Sequence, residues 1–187
     1  MRSVKVFIAM SLDNFIATEN EQMEWLEAVE GQGDNGYTRF YDTIDTIIVG
    51  RHTIEWLKKV PNLPFPYHDK TCYAISTTPQ PHDPHFSWIN NDFDTFLHDL
   101  KYRQGGDIWL VGGGQLIRSA LNAQLVDEVI LTIAPVLLGK GVPLFTGVLN
   151  MQHLRLRASE TFGQFVELRY EVIHPAPPPL EKGLFEV

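Results

Sequence analysis

The sequence predicts an α/β fold, a β-sheet with helices packed on its outside, and three observations carry that expectation. Short apolar runs such as Ile108-Trp-Leu-Val111 and Val129-Ile-Leu-Thr-Ile133 lack a polar face, as strands covered on both sides require. Helix-period stretches alternate with these runs, the pattern of crossover units. A chain of 187 residues with 44% hydrophobic and 20% charged residues also suffices for one substantial core without staples.

In chain order, strands are predicted at residues 4–11, 46–49, 71–76, 85–89, 108–111, 128–133 and 164–173. Helices are predicted at 37–41, 53–58, 92–103 and 115–123. Around 92–103 the local signals agree: Asp92 is a good N-cap, Phe93, Phe96, Leu97 and Leu100 share one helical face, and Gly105-Gly106 ends the helix. Proline and polar residues make 61–68 and 78–84 surface loops. The charged stretch 154–160 alternates like an exposed strand. One domain is expected over 1–174, followed at 175–187 by a Pro-rich tail that cannot extend the last strand. That tail is expected to be disordered, the alternative being that Leu184 and Phe185 pack on a partner subunit.

Composition narrows the function classes. Fifteen Lys and Arg against twenty-three Asp and Glu give a formal charge of −8, which repels a phosphate backbone, so no nucleic-acid partner is expected. Cys72 is the only cysteine, which excludes an internal disulfide and a multi-cysteine zinc site and suits a reducing cytosol. His82 and His85 lie in a two-proline loop with no third ligand nearby, so no metal is expected. The first ten residues alternate like a strand and lack a signal-peptide core, and every apolar run is far shorter than the roughly 20 residues a membrane span needs. A soluble, cytoplasmic protein is the expectation.

Two glycine-bearing turns carry the chemistry. Gly50-Arg51-His52-Thr53 follows a buried strand and opens a helix, where unpaired N–H groups favour phosphate and Arg51 offers a fork for another. A turn glycine with a solvated arginine and a capping threonine is the plainer alternative. The second, Val111-Gly112-Gly113-Gly114-Gln115-Leu116, again joins strand to helix. Its fit to a G-x-G-x-x-G fingerprint fails at Ile117, and the acidic pair Asp127-Glu128 precedes the next strand instead of following it. Two such cradles without a Walker lysine suit a dinucleotide better than a nucleoside triphosphate.

Ala9-Met-Ser-Leu-Asp13-Asn-Phe-Ile16, Met23-Glu-Trp25, Gly50-Arg-His-Thr53, Gly112-Gly-Gly114 and Leu131-Thr132 occur in the order and spacing of dihydrofolate reductases. The segment from Leu125 through Pro135 and Gly139 to Phe145 is more similar to the reductase half of the bifunctional riboflavin-biosynthesis deaminase/reductase. The chain therefore resembles the dihydrofolate-reductase-like superfamily, closest to that reductase domain. The resemblance implies a dihydrofolate-reductase-like fold with a single mixed, mostly parallel sheet.

It also implies NADPH as cofactor. Arg51, His52 and Thr53 match residues on the 2′-phosphate and pyrophosphate, Ser76 and Thr77 flank the adenosine, and Gly112 to Leu116 cover the pyrophosphate. Ala9 and Ile16 match backbone groups that hold the nicotinamide carboxamide, and Trp25 lies beside the substrate. Asp34 falls at the place of the family's proton-delivering carboxylate, with Thr132 as its supporting hydroxyl and Glu27 and Glu30 as competitors; a solvated turn is the alternative for Asp34. Asp13 reads as a structural turn residue. Ile117 stands where dihydrofolate reductases commonly carry an aromatic, and Gly112 where riboflavin-pathway reductases carry a glutamate. The implied function is an NADPH-dependent reductase of a small heterocycle, most like 5-amino-6-(5-phosphoribosylamino)uracil reductase. Dihydrofolate reduction and a non-catalytic NADP-binding module are the alternatives, and a homodimer is expected.

Overall fold

Strict alternation in β1 (Val4–Ser11) decides which side of the sheet each later element must cover. Val4, Val6 and Met10 point to one face and Phe7 and Ala9 to the other. The computed structural model describes residues 1–60, 64–90, 92–145, 147 and 150–174. After β1 come β2 (Phe15–Ala17), α1 (Glu24–Glu27), α2 (Tyr37–Tyr41), β3 (Ile44–Gly50), α3 (Arg51–Lys59), β4 (Thr71–Ile75) and β5 (Ser87–Ile89). Then follow α4 (Phe93–Tyr102), β6 (Asp107–Gly112), α5 (Gly114–Asn122), β7 (Glu128–Ala134), β8 (Val142–Pro143), β9 (His153–Phe162) and β10 (Phe165–Ile173).

Eight strands form one sheet in the order β5-β4-β3-β6-β1-β7-β10-β9. Neighbours from β5 through β7 run parallel, while β10 is antiparallel to both β7 and β9. The sheet is thus mixed and mostly parallel, with helices on both faces. On one face α4 and α5 bury Leu97, Leu100, Ile117 and Leu121 against Val4, Val6, Ile108 and Leu110. On the other, Phe40 of α2 and Ile54 of α3 pack on Ile47, Val49, Trp109 and Ile130, and the Phe7 and Phe40 rings stack 4.2 Å apart.

The predicted strands all form, within a few residues of their expected ends, and 154–160 lies inside β9. Asp92 accepts a hydrogen bond from the Asp94 amide at 3.1 Å as the N-cap of α4. The elements not predicted, β2, α1 and β8, are four residues or shorter, too brief for a periodic signal. The 175–187 tail, with Leu184 and Phe185, and residues 61–63 of the first predicted loop lie outside the described residues. Among the described residues no helix is long and apolar enough to cross a membrane.

A buried cation fixes how α4 docks. Lys101, 4% exposed, donates from Nζ to both Asp127 oxygens at 2.9 and 2.7 Å and to the Leu125 carbonyl at 3.0 Å. Asp127 also accepts from the Val4 amide at 2.7 Å, so one carboxylate ties α4 to the starts of β1 and β7. Asp127→Asn keeps the shape but leaves a buried ammonium without its counter-charge. It should cost about 2–3 kcal/mol, toward the low end for a broken buried pair because Asp127 is partly exposed. Urea unfolding would measure this, and a loss under about 0.5 kcal/mol, the range of an ordinary surface change, would refute it.

Candidate active site

β3 and β6 are parallel neighbours, paired Ile48 to Leu110 and Val49 to Gly112, so both end at the same level. Their helices leave on opposite faces: Ile54 of α3 joins the Phe40 side, and Leu116 and Ile117 of α5 join the other. From this point one connection runs outward to β4 and the other back over β1 to β7, which opens a crevice beyond the carboxyl ends of the strands.

At that crevice the two glycine turns touch. A methyl group on Gly50 would lie 3.2 Å from the Gly112 carbonyl oxygen and 3.3 Å from the Gly113 nitrogen, so only glycine lets these backbones meet unforced. Gly50 caps α3 and Gly113 caps α5, neither with a side-chain hydrogen bond, so the first-turn N–H groups of both helices take no cap. Gly112 has φ +135°, which demands glycine. Gly113 is different: its φ of −78° and ψ of −174° are open to any residue, its peptide bond to Gly112 is cis, and a Cβ there would meet nothing within 4 Å beyond its chain neighbours. Packing against the rest of the chain does not explain glycine at 113. A cradle kept open for the close approach of a ligand phosphate does, so the residues present fit the expected dinucleotide.

Around this joint the expected contact residues take up varied positions. Arg51 is partly exposed and donates from Nη1 to Glu55 at 2.8 Å, an i,i+4 pair of the weak, easily redirected kind. His52 is exposed and Thr53 half-buried. The pairing of Gly50 with Ile75 puts Ser76 at the same edge, where its buried hydroxyl donates to the Thr78 carbonyl at 2.7 Å while Thr77 faces solvent. Val111 is half-buried, Gln115 exposed and Leu116 buried.

The opposite wall is knitted from two distant segments. β2 pairs with β8, and the Leu144 amide donates to the Asn14 carbonyl at 3.0 Å, with Ile16 half-buried between. Gly114 brings α5 against this wall, since a Cβ there would lie 2.7 Å from the Leu144 carbonyl oxygen. Asp13 holds the next loop, accepting from the Ser11 hydroxyl at 2.6 Å and from the Leu138 and Gly139 amides at 3.1 and 2.7 Å. The Ser11 hydroxyl, with those amides, keeps the Asp13 carboxyl below its ordinary value, so this residue is a structural clamp.

A row of paired residues, Ala9 on β1, Thr132 on β7 and Glu167 on β10, forms the floor on the α2 side. Ala9 is half-exposed, whereas Thr132 and Glu167 are buried. Asp34 does not join them. It is exposed and accepts from the Gly36 and Thr38 amides at 3.0 and 2.8 Å at the start of α2. Its hydrogen bonds to Thr38, side chain first, lower its pKa, the opposite of what a proton-delivering acid needs. The expectation for Asp34 is therefore corrected: a turn residue that satisfies helix-start amides has no spare proton. Glu27 and Glu30 are exposed as well. Trp25 is half-buried and packs on the cluster of Ala134, Phe162 and Phe165, with its indole N–H buried and unpartnered.

Residues 2–168 match the RibD C-terminal domain. The chain belongs to that family. Among its relatives is the uncharacterized protein YwjB of Bacillus subtilis, 43% identical over 170 residues, 90% of this chain and 97% of YwjB. A Shewanella sp. PV-4 protein named for riboflavin biosynthesis is 25% identical with a TM-score of 0.83, covering 92% of this chain and 99% of that one. Dihydrofolate reductase from Enterococcus faecalis, solved in complex with NADP(H), shares the fold at 13% identity and a TM-score of 0.62, covering 91% and 96% of the two chains. The fold is thus dihydrofolate-reductase-like, and the family is one of riboflavin-pathway-like reductases.

In this member of the RibD C-terminal domain family, Glu167 is the floor residue that sequence reasoning missed. A signal existed, because alternation along the last strand puts Phe165, Glu167 and Arg169 on one inward face. The two glycines at the joint make opposite demands, which stability measurements separate. Gly50→Ala should lose about 1–2 kcal/mol by forcing the turns apart, whereas Gly113→Ala, whose methyl group would meet no neighbouring element, should lose less than about 0.5 kcal/mol, the range of an ordinary surface change. Equal losses in urea unfolding would contradict the packing described.

Proposed function

We propose that this protein is an NADPH-dependent reductase that delivers hydride to a small heterocycle, most like the reduction of 5-amino-6-(5-phosphoribosylamino)uracil in riboflavin biosynthesis. The observation that carries the reading is the joint of Gly50 with Gly112 and Gly113, where two uncapped helix starts meet beside a glycine, Gly113, at which the rest of the chain leaves open space. Membership in the RibD C-terminal domain family and the shared fold with an NADP(H)-bound dihydrofolate reductase support it. A bound NADPH would supply the hydride.

The chain supplies grip and orientation. Gly50 to Thr53 and Val111 to Leu116 hold the phosphates, with Arg51 exchanging its pair with Glu55 for the 2′-phosphate. Ser76 and Thr77 flank the adenosine, and Ala9 and Ile16 orient the nicotinamide from the β2 wall. Thr132 and Trp25 border the substrate beside α2. A cytoplasmic homodimer completes the reading. β9 is an edge strand exposed from His153 to Thr161, with Leu154 and Leu156 uncovered and Arg155 and Arg157 sharing the one carboxylate of Glu171. An open edge of that length is a template for a second copy.

NADPH should raise the melting temperature more than NADH at equal concentration, and Arg51→Ala should narrow the difference. Gly113→Ala, stable by the argument above, should bind NADPH at least about tenfold more weakly, a loss of roughly 1.4 kcal/mol. Oxidation of NADPH, followed by absorbance, is expected with the phosphoribosylaminouracil and not with dihydrofolate. An unchanged NADPH/NADH preference in Arg51→Ala would remove that residue from the site, and tight NADPH binding with no turnover on any heterocycle would replace the enzyme by a binding module. Light scattering should give a dimer that Leu156→Asp converts to monomer; a monomeric wild type would exclude the β9 assembly.

A further inference from the structure

The floor row holds a feature that the cofactor site does not use. Glu167 is 1% exposed, and it is the only fully buried carboxylate among the described residues. Arg169, two residues on along the same face, donates from Nε to Glu167 Oε1 at 2.7 Å. A guanidinium and a carboxylate set side by side normally close a two-bond fork. Here the second bond is missing: Glu167 Oε2 and Arg169 Nη2 are both buried and neither has a hydrogen-bond partner. An acceptor and a donor thus lie next to one another, both without partners, at a position where an unmade bond is costly.

The surroundings say where this pair belongs. Glu167 is paired with Thr132, which is paired with Ala9, so the pair lies in the row that reaches the half-exposed edge of the crevice. A flexible group of α2 lies against it. Arg39, whose side chain is 54% exposed, bridges Glu160 at 2.6 Å and Glu167 at 3.6 Å. Exposed ion pairs of this kind are weak, so moving Arg39 aside costs little. Asp34, meanwhile, is occupied with α2.

We propose that Glu167 and Arg169 together read a cyclic amide edge of the substrate ring, Glu167 Oε2 accepting from the ring N–H and Arg169 Nη2 donating to the adjacent C=O. The pairing matches the two unmade bonds in number, polarity and order, and it selects pyrimidinone-type rings over rings whose nitrogens are alkylated or bare. Glu167 is then a specificity-determining residue supplied by the last strand and not by the first helices. The proposal rests on the reductase reading, which gives the crevice a heterocycle to hold.

The probes are lumazine, a fluorescent bicyclic ring with ring N–H beside C=O, and 1,3-dimethyllumazine, in which both of those N–H groups are methylated. Fluorescence titration of the full chain with NADP⁺ present should show lumazine binding at least about tenfold more tightly than its dimethyl analogue, as expected for a hydrogen bond to a charged group. In Glu167→Gln the ratio should fall below about threefold while the melting shift with NADPH is unchanged. An unchanged ratio in Glu167→Gln overturns the assignment and leaves the reductase reading intact. Equal binding of the two probes to the wild type, or binding of neither, also overturns it, without need of a folded variant. Loss of the NADPH shift in the wild type would instead strike the reductase reading, and the probe ratio would still decide the role of Glu167.

Discussion

The close approach of Gly50 to the Gly112–Gly113 peptide is the constraint from which the site follows. Strands β3 and β6 are hydrogen-bonded neighbours, so their ends are fixed at one level, and the helices that follow must diverge to opposite faces. The divergence leaves a crevice, and the missing side chains let the crevice come to a point where backbone amides of two helices converge. Gly114 extends the same logic outward by pressing α5 against the Pro143–Leu144 backbone, which positions the wall built from β2 and β8. The shape of both walls of the crevice thus depends on one geometric fact about the sheet.

Buried charge in this molecule has two characters. Lys101 and Asp127 form a closed account in which every bond of the ammonium is made, and their role is to hold α4 against the strand starts. Asp13, although partly exposed, is likewise engaged by Ser11, Leu138 and Gly139. Glu167 and Arg169 break that pattern, since each keeps one buried atom unpaired although a partner lies alongside. Satisfied pairs lie at the base of the sheet or under a loop; the unsatisfied one lies in the row that opens on the crevice.

How far the sequence reveals this depends on the range of each interaction. The long strands and helices follow from short-range periodicity, and the two glycine turns from residue type alone, so the halves of the crevice were both legible. That they touch was not, because contact between Gly50 and Gly113 depends on β6 adding beside β3, a pairing between strands with two helices and two strands between them in the chain. Asp34 misled for a related reason: counting from Gly50 places it correctly in the chain, but whether a carboxylate faces a cleft or caps its own helix depends on one turn of backbone. For Glu167 alternation signals an inward face and no more, because its meaning comes from Thr132 and Ala9, which join it only through strand register. The short pair β2–β8 depends wholly on tertiary partners and leaves no local trace.

The joint also sorts its neighbourhood by tolerance to change. Position 50 is fenced by peptide atoms and position 114 by the Leu144 carbonyl, so neither accepts even a methyl group without displacing main chain. One or two residues further along the constraint vanishes: His52 and Gln115 are exposed at the same two helix starts. Rigid and permissive sites therefore alternate along a few residues, which gives a lineage, or an engineer, freedom to change the surface chemistry of the crevice while the scaffold beneath it stays fixed.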